Sequence, residues 1–281
     1  MDKYYAVVTG ASSGIGKAIS YELASKKINL VLVALPKTGL SRIVNQISND
    51  YKVDVKSFEI DLTEDNAVYR FHQWCDKNEL TINMLINNAG LGTHQEFERT
   101  SVSDLETMLK LNNQAVVMLA YYFLPDLKLN QPGNILNVGS LASFMNIPGK
   151  AVYAASKSFI YSFSLSLRME LKRYKINVSC LCPGGTVTSP RVLENISKTK
   201  FAGKSILQLP DTVAKEAVRQ MLLGKRLIIP GWHNKLLYKL WALLPIQLID
   251  IILSFLFFKQ EESKPFRSRQ SAIAFRAIAL A

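Results

Sequence analysis

The chain has 281 residues, 48% hydrophobic and 20% charged, with only 14 Gly and 10 Pro. That balance excludes a disordered or fibrous chain, and the length is enough for one large α/β domain with a substantial core. The net charge of +12 is uneven: residues 191–239 hold ten Lys or Arg against Glu194, Asp211 and Glu216. No arginine-rich run, zinc-finger spacing or basic–aromatic interleaving accompanies it, so nucleic acid is not an expected partner. The patch reads either as a solvated face or as an attraction for anionic lipid or a phosphorylated molecule.

The first apolar run, 4–8, predicts a strand close to the N-terminus with no secretory signal before it. It enters Thr9-Gly10-Ala11-Ser12-Ser13-Gly14-Ile15-Gly16 and then a helical pattern over 15–27. A strand, a glycine-rich turn and a helix in that order suit a pyrophosphate: glycines permit a tight turn and close backbone approach, and the helix N-terminus offers free N–H groups. A nucleoside-triphosphatase phosphate loop does not fit. Gly10 to Gly16 is one residue too long, and Ala18 stands where Ser or Thr is required.

Further strands are predicted at 29–34, 53–60, 84–87, 134–138, 177–181 and 227–229. Helices are predicted near 38–50, 64–78, 102–110, 112–129, 151–174 and 211–223. Near-continuous Val/Ile/Leu strands alternating with helices predict about seven parallel strands covered on both faces, a single doubly wound α/β domain spanning 1–231.

The three cysteines, Cys75, Cys180 and Cys182, have no framework spacing and read as reduced thiols of a cytoplasmic protein. Cys180 and Cys182 share one face of a strand, as small core residues. His72, His94 and His233 lack ligand spacing, so no metal site is expected. His72 reads as structural, and His94 lies where it would edge a cleft.

Tyr153 and Lys157 are four apart in a helical pattern and therefore share a face. A phenol beside an ammonium is a proton carrier, and the cation is expected to pull the phenol below its usual value near 10. Alone, the pair reads first as a half-buried Tyr beside a snorkelling surface Lys.

It is not alone. Thr9-Gly10-x-x-x-Gly14-x-Gly16, Asp61-Leu62, Asn87-Asn88-Ala89-Gly90, Asn112, Ser140, Tyr153-x-x-x-Lys157 and Pro183-Gly184, in this order, resemble the short-chain dehydrogenase/reductase family over roughly residues 3–231. Within it the chain is similar to DltE-like bacterial reductases and to lipid-handling ketoreductases. The resemblance implies a Rossmann-type fold and hydride transfer between a nicotinamide and a carbonyl or secondary alcohol.

It also implies a catalytic set. Tyr153 is the acid/base, Ser140 bonds the reacting oxygen, and Lys157 holds the nicotinamide ribose and lowers the Tyr153 pKa. Asn112 anchors a water that relays protons to Lys157. The implied cofactor contacts are Gly10, Ser12, Ser13, Gly14, Ile15 and Gly16 at the turn, with Lys37, Asp61, Leu62, Asn88, Ala89 and Gly90. Tyr153, Lys157, Pro183, Gly184, Thr186 and Thr188 complete them. Capping and turn roles for the asparagines remain open beside these. A catalytically idle relative that still binds the cofactor is the alternative, and fold alone does not exclude it.

The second strand ends Val33-Ala34-Leu35-Pro36-Lys37 with no acid for an adenine ribose hydroxyl, which favours NADP(H) over NAD(H), with Lys37, Ser12 and Ser13 receiving the 2′-phosphate. The resemblance makes 189–210 the substrate lid. Its mixed apolar and basic content reads first as ordinary packing and also suits an amphiphilic substrate. Residues 232–260 form an apolar helical extension. Either it covers the pocket or an oligomer contact, or 232–259 touches a membrane surface through Trp232, Trp241 and Lys259. Residues 261–281 are a basic tail. A homodimer or homotetramer is implied by the resemblance.

Overall fold

The computed structural model describes residues 4–92, 95–187, 207–245 and 248. Seven strands appear: β1 (Tyr4–Thr9), β2 (Asn29–Ala34), β3 (Val55–Glu59), β4 (Thr81–Asn87), β5 (Gly133–Val138), β6 (Ile176–Leu181) and β7 (Leu227–Ile228). They form one parallel sheet in the order β3-β2-β1-β4-β5-β6-β7. The described helices are α1 (Gly14–Ser25), α2 (Leu40–Tyr51), α3 (Ala67–Lys77), α4 (Val102–Leu109), α5 (Ala115–Leu129), α6 (Ala151–Leu171), α7 (Pro210–Leu222) and α8 (Trp232–Leu243).

The strand pleat sorts the apolar residues into two cores. Ala6, Val8, Leu30 and Leu32 face one layer with Ile19 and Leu23 of α1, Ile43 of α2 and Val218 of α7. Tyr5, Val7, Val31 and Val33 face the other, with Phe71 of α3 and Leu119 and Phe123 of α5. Side chains two apart on a strand share a face, so an uninterrupted apolar run is what a sheet covered on both sides requires.

Strand order reverses between β1 and β4, and a crevice opens beyond their carboxyl ends, where ligands bind in this class of sheet. The chain divides at Leu243 into two units; the first, Met1–Leu243, contains the whole sheet. Among the described residues no helix is long and apolar enough to cross a membrane.

One expected boundary is corrected. The two helices predicted with a break near 111 are a single helical run. The turn Lys110–Gln114 is a π turn, in which the Ala115 N–H reaches the Lys110 carbonyl. One extra residue is fitted into the helix there, and it carries Asn112 into the interior, buried.

Candidate active site

The first wall is the glycine-rich turn after β1. Gly10 and Gly14 have φ of +65° and +54°, where a side chain is strained. Gly16 is required for a different reason: a Cβ there would stand 2.3 Å from the Gly10 carbonyl oxygen and 2.3 Å from Asn88 Nδ2. Ser13 caps α1 without a side-chain bond and is exposed, as befits a turn that presents backbone N–H groups outward. Ser12 and Gly14 are half-buried beside it, whereas Ile15 is buried in the core.

Thr9 locks this turn to the end of β4. Its buried hydroxyl accepts from the N–H groups of Asn88 and Ala89, both at 3.0 Å. Asn88 Nδ2 returns a bond to the Thr9 carbonyl at 2.9 Å. Gly90 is exposed at the crevice; a Cβ there would come within 3.1 Å of Asn112 Oδ1 and 3.3 Å of Lys157 Nζ. The glycines thus leave a groove that runs from the α1 N-terminus to Lys157.

The second wall is α6 with the end of β5. Ser140 follows β5 and accepts at Oγ from the Ala142 N–H at 3.1 Å, which opens the short turn Leu141–Phe144. The Ser140 side chain also lies beside the Tyr153 phenol and draws its pKa down. One turn on, buried Lys157 donates from Nζ to the Val138 carbonyl at 2.8 Å, with Nζ 5.9 Å from the Tyr153 ring centroid. Asn112 accepts from the Leu91 N–H at 2.8 Å and donates to the Leu91 carbonyl at 2.9 Å and to Ser156 Oγ at 3.0 Å. Ser156 in turn donates to the Tyr153 carbonyl at 2.7 Å, so Asn112 is tied to the backbone of the Tyr153 turn.

The electrostatics correct one expectation. Burial pushes the Tyr153 phenol above its ordinary value, and Ser140 beside it only partly offsets this. Burial also pulls Lys157 down to about 8, so its stabilising field on the phenol is weaker than the spacing alone implied. Such a phenol is protonated at neutral pH and is a proton donor before it is a base.

Other expected residues lie nearby but are differently engaged. Lys37 sits in an exposed turn after β2 with φ +63°, in the stretch 33–41 that has no Asp or Glu. Asp61 uses Oδ1 to accept from the N–H and hydroxyl of Thr63, at 2.8 and 2.7 Å, while Leu62 is buried in the core. Pro183 and Thr186 are buried and Gly184 is half-buried; a Cβ on Gly184 would meet Asn234 Oδ1 at 2.5 Å. Thr188, His94, residues 189–206 of the expected lid and nearly all of 246–281 lie outside the described residues. His72 bridges α3 to α5, with Nε2 2.9 Å from Asp126 Oδ2 and Nδ1 3.3 Å from Asp76 Oδ2.

A buried polar chain escaped the motif reading. Asn87 Nδ2 donates to Asn137 Oδ1 at 2.8 Å, and Asn137 Nδ2 donates to Ser164 Oγ at 2.9 Å. Ser143 Oγ holds the Lys157 carbonyl at 2.9 Å. Cys180 and Cys182 are buried with sulfurs 3.7 Å apart. The hydrogen bond with Cys180 and burial hold the Cys182 thiol well above its usual value, hence neutral, beneath Ser140 and Tyr153. The available signal was Asn137 itself, a polar residue inside an otherwise apolar strand.

Comparison with known proteins agrees with this geometry. The profile described as short chain dehydrogenase matches residues 4–198. A Mycobacterium tuberculosis protein, SadH, is 28% identical over 240 residues, covering 82% of this chain and 87% of its own length. A Kluyveromyces lactis protein named very-long-chain 3-oxoacyl-CoA reductase is 35% identical over 182 residues, 62% of this chain and 52% of that one. A short-chain dehydrogenase from Sphingobium yanoikuyae, solved in complex with NADPH, superposes with a TM-score of 0.75 at 26% identity, covering 85% of this chain and 91% of that one.

Proposed function

Since the chain belongs to the short-chain dehydrogenase family, we propose that it is an NADP(H)-dependent ketoreductase of a lipophilic carbonyl compound. The observation that carries the reading is the Tyr153 phenol set beside Ser140, with Lys157 one helical turn away, at the end of a glycine-lined groove. The groove fits a dinucleotide: a Cβ at Gly10, Gly16 or Gly90 would fill it or displace its wall. NADP(H), when bound, supplies or takes the hydride.

The protein groups do the rest. Ser140 Oγ and the Tyr153 hydroxyl point a pair of hydrogen bonds at the carbonyl oxygen, and Tyr153 gives it a proton as the alcohol forms. A raised phenol pKa keeps Tyr153 protonated at neutral pH, which favours reduction over oxidation. Lys157 has three N–H donors; one holds Val138, which leaves two for ribose hydroxyls. Its positive charge steadies the phenolate left after proton transfer. Asn112 positions Leu91 and Ser156, and through them the Tyr153 turn, and it anchors the water that returns a proton to Lys157. Ser12, Ser13, Gly14 and the α1 N-terminus hold the pyrophosphate. Lys37, exposed beside a β2 end that lacks a carboxylate, takes the 2′-phosphate. Asp61 and Leu62 face the adenine; Asn88, Ala89, Pro183, Gly184, Thr186 and Thr188 line the remainder.

The NADPH complex of the Sphingobium enzyme supports the cofactor choice. The long-chain acyl substrate in the yeast relative's name supports a lipophilic ketone. Free, buried Cys75, Cys180 and Cys182 suit a reducing, cytoplasmic compartment. Exposed Tyr121 and Leu129 on α5 and Phe159 and Met169 on α6 suit burial in a homodimer or homotetramer. A lipophilic substrate calls for work at a lipid surface, and 232–259 is the stretch that would touch it.

Turnover of water-soluble ketones, long-chain 3-ketoacyl compounds and sphingoid ketones, with NADPH and NADH in parallel, tests this reading. It predicts NADPH preference and higher kcat/KM for the long-chain ketones. Cofactor binding without turnover of any ketone would instead identify an idle binding protein.

A further inference from the structure

Helix α8 is apolar on two opposite faces. Its inner face is fixed in place. Asn234 is buried and donates to the Pro230 carbonyl at 2.9 Å and to Gln208 Oε1 at 3.1 Å. The Tyr238 ring packs on Phe144, centroids 4.7 Å apart, in the turn that follows Ser140. Leu237 packs against the cluster that contains Leu141, Ile160 and Cys182. The helix therefore rides on the catalytic loop and on Gly184.

Its outer face carries Trp232, Leu236, Leu240 and Leu243, which are 68%, 48%, 52% and 81% exposed. Their spacing of 4, 4 and 3 residues makes one continuous stripe. Exposed Lys235 and Lys239 flank it. Beside Trp232 opens a trough of about 600 Å³ walled by Lys26, Lys215, Arg219 and Lys235 against Glu22 and Glu216. Lys26 pairs with Glu22 at 3.2 Å, and Arg219 and Lys235 share Glu216 at 2.7 and 3.3 Å, so with Lys215 the trough keeps an excess of positive charge.

We infer that this face of α8 and its basic trough dock on an anionic phospholipid bilayer. The stripe enters the interface and the trough takes lipid phosphates. The inference rests on the reading of a lipophilic substrate and names its source, a membrane beside the active-site mouth. A flat apolar stripe edged by lysines, with tryptophan at one end, is the pattern of a helix that lies in a membrane surface. One alternative meets charge repulsion. A second copy paired stripe to stripe would bring Lys235 and Lys239 against their equivalents, on a chain of net charge +12.

Co-sedimentation of the full chain with vesicles tests the inference, comparing phosphatidylcholine alone with phosphatidylcholine containing phosphatidylglycerol. Binding should require phosphatidylglycerol and weaken with salt. A Leu236→Glu/Leu240→Glu variant should lose binding by roughly tenfold or more. A Lys215→Ala/Lys239→Ala variant should lose on the order of fivefold per charge removed. NADPH oxidation with a small water-soluble ketone is read for each variant and should stay at the parent level. No vesicle binding with activity intact would overturn the docking and leave the enzymatic reading standing. Vesicle binding without ketone reduction by the parent chain would do the reverse. Undiminished binding by the Leu236/Leu240 variant would place the contact elsewhere and overturn the inference. So would a dimer abolished by that variant in light scattering.

Discussion

Gly16→Ala tests whether backbone contact, and not side-chain crowding, fixes the α1 turn. The new methyl carbon would lie 2.3 Å from the Gly10 carbonyl oxygen. That is about 1 Å inside the ~3.3 Å at which carbon and carbonyl oxygen ordinarily meet. Inserting a methylene-sized group into packed structure costs about 1–3 kcal/mol. For a unit of this size each kcal/mol moves Tm by roughly 2–4 °C, so a fall of about 2–12 °C is expected. A shift of α1 by even part of an ångström also breaks N–H···O geometry at the pyrophosphate, where each charge-assisted bond contributes about 1.5–3 kcal/mol. NADPH affinity should fall by roughly 10- to 100-fold, read by quenching of protein fluorescence. Asn88 Nδ2 also lies 2.3 Å from the added carbon, so Gly16→Ala/Asn88→Ala separates the two contacts. Because the Gly10 carbonyl remains, no rescue of Tm or affinity is expected. Recovery of both in the double variant would refute the argument from backbone contact.

Two further outcomes are expected. The hydrogen bond with Asp126 raises the His72 pKa, with burial opposing it. A raised folded-state value means the stabilisation is fully present below the unfolded value of about 6.5 and is lost as pH rises through the folded one. His72→Gln should cost about 1–3 kcal/mol in chemical denaturation near pH 6 and distinctly less near pH 9, whereas an equal cost at both pH values would count against the charged pair. Because burial keeps the Tyr153 phenol protonated, ketone reduction should be flat through neutral pH and fall in the alkaline range, while alcohol oxidation should rise there. Parallel profiles in the two directions would argue against Tyr153 as the titrating group.

The sheet was readable because its strands are unbroken Val/Ile/Leu runs such as 29–34, which only a doubly covered sheet can bury. The glycine turn was readable because Gly10, Gly14 and Gly16 answer backbone demands that no other residue meets. The π turn was not readable: Lys110-Leu111-Asn112 has ordinary helical composition, and the inserted residue is driven by Asn112's bonds to Leu91 and Ser156 across the fold. The phenol's raised pKa was missed for a similar reason. Spacing to Lys157 is local, but burial, which dominates, belongs to the assembled crevice. The trough beside Trp232 sets α1 against α7 and α8, which lie about 200 residues further along the chain, so only the basic excess of 191–239 was visible beforehand.

The central claim is that Tyr153 gives the proton that accompanies hydride transfer. Tyr153→Phe keeps the ring and its burial and removes only the hydroxyl. NADPH binding and Tm should stay near the parent values, while ketone-dependent NADPH oxidation should fall by about 10²-fold or more. Undiminished oxidation by that variant would contradict the account.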